Sequence, residues 1–243
     1  MDLSRLRVDG GFRLRGEAVT RLETFVDAAF AFAVTLLVVS FDAMPTSAAE
    51  LYDALRRLPA FLAGFAILTM FWHSHHRFSR RFGLEDATVV VLSLALVATT
   101  LFYVYPLRMV MSAAMFYFTG GWAPSEFQVT SLGEFQMIFI VYGLGFAVLA
   151  GLVAWMNAHA LRRGDALGLD DVERLLARGE IVSHLILVAV ATLSMAIALL
   201  LPEDARWAHA LPGLAYALLG ILMPLYGIAI SRRTDALLAA RAA

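Results

Sequence analysis

Residues 21 to 41, RLETFVDAAFAFAVTLLVVSF, make the first long apolar run of the chain, and its leading half carries Arg21, Glu23 and Asp27. A hydrocarbon core about 30 Å thick takes roughly 20 apolar residues in helix, so the run is long enough to span a membrane. A carboxylate inside a span costs about 2.5 to 3.5 kcal/mol on insertion scales, and it normally faces a partner, a cavity or an ion path. Asp27 therefore requires a structural reason, and that requirement limits how the helix can be packed.

Five further apolar runs follow, so that candidate helices lie at about 22–41, 58–76, 87–106, 134–160, 180–201 and 209–231. Apolar residues make up 60% of the 243, against roughly 45 to 50% in an ordinary soluble domain, and the mean hydropathy is +0.75. The expected fold is all-α, a polytopic integral membrane protein of six transmembrane helices. No polar stretch is long enough for an appended soluble domain, so residues 1–243 read as a single membrane domain. The polar, arginine-bearing start has no small-residue cleavage site close behind the first run, which is therefore read as a retained helix and not a signal peptide.

All 19 basic side chains are arginine. Arg5, Arg7, Arg13, Arg15 and Arg21 precede or open the first helix, and Arg77, Arg80 and Arg81 follow the second. Arg162, Arg163, Arg174 and Arg178 follow the fourth, and Arg232, Arg233 and Arg241 follow the sixth. Only Arg56, Arg57, Arg108 and Arg206 are left for the opposite side, so the positive-inside rule places both termini in the cytoplasm. The connections carry their own signals. Ser47-Ala48-Ala49-Glu50 is a capping-box pattern that starts a short helix through Arg57, ending where Pro59 begins the second span. Phe116, Tyr117, Phe118 and Trp122 suit a membrane interface, and Arg108, just past Pro106, is expected at the outer headgroups. The inner loop 162–179 is expected to hold a surface helix from Asp171 to Arg178.

Composition also excludes function classes. With no cysteine there are no disulfides, thiolate metal sites or cysteine nucleophiles. A net charge of −1 without a basic aromatic patch gives no sign of nucleic-acid binding. Neither a nucleophile elbow nor a phosphate-cradling glycine loop is present, so an enzyme is not expected. His73, His75 and His76 invite a metal reading, but these positions diverge around a helix and cannot all reach one ion. The run Val141-Tyr142-Gly143-Leu144-Gly145 superficially looks like a carbonyl filter. It lies inside an apolar run without a pore loop, so Gly143, Gly145 and Gly151 are read as helix-packing positions. His184 is read as a hydrogen-bonded packing residue of the fifth helix. No cofactor and no bound metal are expected.

On a helical wheel Phe25, Ala28, Phe32, Thr35, Leu36 and Val39 share one strip, whereas Asp27 lies about 140° from Phe32 at 100° per residue. If the strip meets an aqueous path, Asp27 points back into the protein. Arg21 and Asp27 diverge too far around the helix to pair with each other. The first helix starts on the side where the second one ends, so Arg21, Phe25, Asp27, Trp72 and His75 can share a depth. A buried Asp27 accepting from Trp72 or His75 would be satisfied.

These residues also resemble a known family. Arg21, Phe25, Asp27, Phe30, Ala31, Thr35, Leu36 and Leu37 are similar to the signature of the transmembrane protein 175 family of potassium channels, R-x-x-x-F-S-D-x-x-F-A-x-x-x-T-L-L. Trp72, His75, Arg77 and Phe78 match the region after that family's second helix. Phe32 stands where the family commonly has isoleucine or leucine, and Val26 replaces the serine before the aspartate. The resemblance, to the bacterial branch with its six-helix subunit, implies a homotetramer in which four copies of the first helix surround a pore. It implies a pore lining of Phe32, Thr35, Leu36 and Val39, with apolar rings and a threonine ring as gate and selectivity region. Arg21, Phe25, Asp27, Trp72 and His75 would form a supporting polar network.

The implied function is passive, potassium-favouring cation flow through a multi-pass plasma-membrane protein, in a bacterium the inner membrane. Its partners would be other copies of itself, permeant cations and lipid. The alternative is a proton-coupled or small-solute carrier using Asp27 and His75, although neither broken helices nor internal repeats are evident. A membrane-embedded metal enzyme built on the histidines comes third, disfavoured by their spacing.

Overall fold

The structure is a computed structural model that describes residues 6–38, 45–125, 127, 130–202 and 209–242. Within these residues the chain runs β1 (Val8–Asp9), β2 (Phe12–Arg13), α1 (Arg21–Val38), α2 (Ala48–Arg56), α3 (Leu58–Phe82) and α4 (Ala87–Phe118). It continues through α5 (Leu132–Arg162), α6 (Asp171–Leu200), α7 (Leu211–Ala215), a 3-10 turn at Tyr216–Leu218 and α8 (Leu219–Ala242). Helices α4, α5, α6 and the α7–α8 stretch are each long and apolar enough to cross a membrane. A fifth span exists if α2 and α3, bent 41° from each other, are counted together. Helix α1 has 18 described residues that include Arg21, Glu23 and Asp27, and the end of its apolar run, residues 39–41, lies outside the described part.

Short side chains start these helices. Ser47 accepts the Glu50 N–H at the head of α2, Ser131 accepts the Glu134 N–H at the head of α5, and Asp86 accepts from Thr88 and Val89 at the head of α4. The Glu50 carboxylate also accepts from the amide and hydroxyl of Thr46, and Glu134 treats Thr130 the same way. Asp170 and Glu173 close a full capping box at the head of α6.

Two sequence expectations about helix ends are corrected. Pro106 lies inside α4, which runs on to Phe118, so Arg108 is a helical residue and not part of an outer loop. The surface helix expected from Asp171 to Arg178 is the first part of α6, which continues through Gly179 without a break. Gly179 fits because it faces Ile230 of α8 at ordinary contact distance, and one glycine in a long packed helix costs only about 1 kcal/mol.

The core is built where α1, α3, α4, α5 and α6 meet, around Phe30, Phe71, Leu96, Tyr103, Tyr142 and Phe146. Gly143 and Gly145 permit this packing: a Cβ at Gly145 would stand 2.5 Å from the Tyr103 ring and one at Gly143 2.5 Å from Met195. Gly151, expected in the same role, has nothing within 4 Å of such a Cβ and does not serve it.

The arginine-rich end carries an element that composition gave no reason to expect. Val8 pairs with Arg13 and Asp9 with Phe12 across a two-residue turn at Gly10 and Gly11. Both turn residues have positive φ, 54° and 84°, the conformation that suits a tight hairpin and favours glycine. Phe12 is fully buried and meets Phe82 edge-on at 5.3 Å, while the guanidinium groups of Arg15 and Arg81 lie over its ring.

Arg13 and Arg15 both bond the fully buried carboxylate of Glu173. Through that bond the carboxylate raises the pKa of Arg13 above its usual value. The hairpin thereby joins the start of α6 to the end of α3.

Candidate functional site

Thr20 and Glu23 start α1 by exchanging bonds. Thr20 Oγ1 accepts the Glu23 N–H at 3.2 Å, and Glu23 Oε2 accepts the Thr20 N–H at 2.9 Å. From there Val26, Phe30, Ala33 and Leu37 turn into the core, the spacing of one helical face. Phe25 and Phe32 stand outward, 52% and 56% exposed, and Ala28, Ala31 and Thr35 are exposed beside them. The Thr35 hydroxyl donates to Ala31 O at 3.0 Å, which leaves its oxygen lone pairs available on the outer face. Leu36 is half-buried and packs against the core, so it sits at the edge of the strip. Val39 lies outside the described residues.

Asp27 is not buried among the core residues. It is exposed, on the flank of the outward face, and Trp72 Nε1 donates to its Oδ1 at 2.8 Å. At 100° per residue Asp27 lies about 140° from Phe32, yet it stays exposed because the core covers the arc of α1 that holds Val26, Phe30, Ala33 and Leu37. His76 stacks on Trp72 with ring centroids 5.5 Å apart, holding the indole in place. His75 does not reach Asp27 or Trp72. It is buried, with Nε2 3.0 Å from Ser93 Oγ of α4, on the side of α3 that lies about 60° round from Trp72 and faces α4. Arg21 is exposed at the start of the helix.

Ser74, Arg77 and Arg81 of α3 meet α6. His184 is buried, with Nδ1 2.8 Å from Glu180 O and Nε2 3.3 Å from Ser74 Oγ. Arg77 and Arg81 both pair with Glu180. His73 is exposed, and His75 and His76 turn elsewhere, so the three histidines do not converge. Among the described residues no three histidine, aspartate or glutamate side chains gather as metal ligands would.

At the arginine-rich end Asp86 also accepts from His159 at 2.8 Å and from Arg163 at 2.7 Å. Partial burial works to raise its pKa, and the bonds from His159 and the Val89 amide, with the charge of Arg163, outweigh it and hold the pKa below the usual carboxylate range.

Sequence reasoning missed Glu173 and its two arginines. Two signals pointed to them: the Asp-Gly-Gly turn flanked by Val8 and Phe12, and the Asp170-x-x-Glu173 capping pattern. What neither could supply is that the hairpin and the head of α6, about 160 residues apart, meet.

Comparisons with known proteins agree in direction. Residues 21–104 match the family model described as the endosomal/lysosomal potassium channel TMEM175. A protein of Marivirga tractuosa described as a potassium channel is 29% identical over 232 residues, covering 93% of this chain and 94% of its own. A crystal structure of a threonine-to-alanine variant of the potassium channel MtTMEM175, in complex with a nanobody–MBP fusion, superposes with a TM-score of 0.78. It is 27% identical, and the match covers 93% of this chain and 99% of that one.

Proposed function

We infer that this chain, because it belongs to the TMEM175 family, is a multi-pass membrane protein that passes potassium down its electrochemical gradient along a path lined by α1. The observation that carries the reading is the outward face of α1. Phenylalanine alone could face lipid, but Asp27 and Thr35 stand exposed on the same helix, and hydrocarbon is a poor environment for either. A face of that composition calls for water or a second copy of the chain.

Four copies around one axis meet both needs. Phe25, Ala28, Phe32 and Thr35 turn to the centre, with Leu36 at the edge. An apolar ring at Phe32 closes by dewetting, and a hydroxyl ring at Thr35 replaces part of an ion's water shell. Asp27, about 140° away from Phe32, cannot reach the axis. It faces a neighbouring copy, with Trp72 as its donor, and holds α1 against α3. Arg21 stands at the entrance, and His75 ties α3 to α4 through Ser93.

The membrane arrangement follows from charge. The ends of α3, α5 and α8 and the starts of α1 and α6 carry the arginines, and the positive-inside rule assigns that end to the cytoplasm. With α1 and the bent α2–α3 pair counted, the subunit has six spans, and both termini lie in the cytoplasm. Residues 1–243 act as one membrane domain.

The test is potassium efflux from liposomes that hold the purified protein, driven only by a gradient. A channel gives efflux that rises with the gradient without coupled proton movement, and Thr35→Val changes the potassium-to-sodium ratio. Saturating efflux with a fixed proton stoichiometry would instead establish the carrier reading based on Asp27 and His75.

A further inference from the structure

The first helix reaches the rest of the protein through a very short tether. Gly16 N–H donates to Arg80 O at 3.0 Å, and Arg80 Nη1 donates to Gly16 O at 2.7 Å and Glu17 O at 3.1 Å. Thr20 then caps α1. Only residues 18 and 19 separate the last anchored residue from the cap, and at about 3.3 to 3.6 Å per residue they allow the start of α1 little room to move.

What fixes Gly16 is the hairpin before it. Arg15 O lies against Gly83, where a Cβ would come within 2.8 Å of it, and Gly83 itself has φ 58°. Gly16 is equally confined, because a Cβ there would run into Ser79 O. Both close approaches depend on how deeply the hairpin is seated. Two groups seat it: Phe12, between Phe82 and the two arginines, and Glu173, which collects Arg13 Nε and Nη2, both terminal nitrogens of Arg15 and the Arg13 amide. The turn rests on α6 and α8, since a Cβ at Gly11 would meet Val172 at 3.2 Å and Leu238 at 3.8 Å.

We propose that Glu173 is a positioning residue for the conduction path: by seating the amino-terminal hairpin through Arg13 and Arg15, it fixes where the pore-lining helix α1 begins. The proposal rests on the channel reading above for its consequence, but not for its geometry. Glu173 lies on α6, away from α1, and acts only through the hairpin and the two-residue tether. Movement of that tether shifts the start of α1, and a rigid helix carries the shift to Phe25, Phe32 and Thr35.

The chain has no cysteine, so a single introduced one can carry a spin label. Val19 is 61% exposed on the tether, and Glu85, exposed on the connection after α3, serves as the control position. Labels at Val19→Cys and at Glu85→Cys are compared in the parent and in Glu173→Gln, in the full-length protein in liposomes, together with potassium efflux.

The expected result is a mobile Val19 label in Glu173→Gln, an unchanged Glu85 label, and potassium efflux reduced at least threefold at equal protein. Arg13→Gln, which leaves the Arg15 pair intact, is the milder variant if Glu173→Gln does not assemble, and it should produce the same pattern to a smaller degree. An unchanged Val19 label overturns the proposal. So does a mobile label with unchanged efflux, because the tether would then not set the path, and so do both labels loosening together, which is general unfolding. If the parent passes no potassium, the channel reading fails, while the Val19 label still decides whether Glu173 positions α1.

Discussion

The bond between Trp72 and Asp27 offers the sharpest test of how α1 is held. Trp72 Nε1 donates to Asp27 Oδ1 at 2.8 Å, and the indole is stacked on His76. Trp72→Phe keeps an aromatic ring for the stack and removes only the donor. A hydrogen bond to an ionised acceptor contributes about 1.5 to 3 kcal/mol net. Polar pairs inside membranes average about 0.6 kcal/mol, with a maximum near 1.7, because the reference state within the membrane also finds partners. The ranges overlap near 1.5 kcal/mol, roughly tenfold in an equilibrium constant, and that is the coupling expected here.

The assay is a double-mutant cycle of Trp72→Phe and Asp27→Ala, measured by unfolding in mixed micelles. Trp72→Phe alone should destabilise by about 1.5 kcal/mol, because it removes this bond, and should cost little in the Asp27→Ala background. A coupling below about 0.5 kcal/mol would falsify the idea that this bond holds α1 to α3. Asp27→Ala should reduce open probability or assembly and leave ion selectivity in place; a change in selectivity alone contradicts its position on the flank.

Three further outcomes are expected. Phe12→Ala empties a fully buried ring site and should cost about 3 to 5 kcal/mol, read as a fall in the melting temperature of the purified protein. Gly145→Ala places a methyl 2.5 Å from the Tyr103 ring and should destabilise by about 1 to 3 kcal/mol through overpacking, whereas Gly151→Ala, with open space around it, should be neutral in the same measurement. Asp86 has its folded-state pKa lowered. It therefore stabilises the protein above the unfolded carboxylate pKa of about 3.9, and this contribution is lost as pH falls through the lower folded value. Asp86→Asn should flatten the acid limb of a stability-against-pH curve, and an unchanged limb removes Asp86 from the account.

The outward face of α1 was legible in the sequence because helical periodicity depends only on local geometry: Phe25, Ala28, Phe32 and Thr35 recur on one strip wherever the helix is placed. The capping residue Ser47 acts within one turn and is equally local. Asp27 was only half legible. Its angle to Phe32 is a property of the helix, but its exposure depends on how much of α1 the neighbours cover. His75 illustrates the same limit, since it lies three positions beyond Trp72 on α3 and its actual partner, Ser93, belongs to α4.

By itself, then, the sequence determined the class of protein: apolar runs of membrane length, the asymmetry of arginine between the two ends, and a charged first helix with one distinctive face. These depend on residue type and spacing along a single helix. The tertiary structure decided everything that joins distant segments. It merged the expected surface helix into α6, carried α4 past Pro106, and brought Arg13 and Arg15 to Glu173 about 160 residues away. The physical reason is that a buried charge or a close backbone approach is fixed by which surfaces meet, and neither leaves a period in the chain.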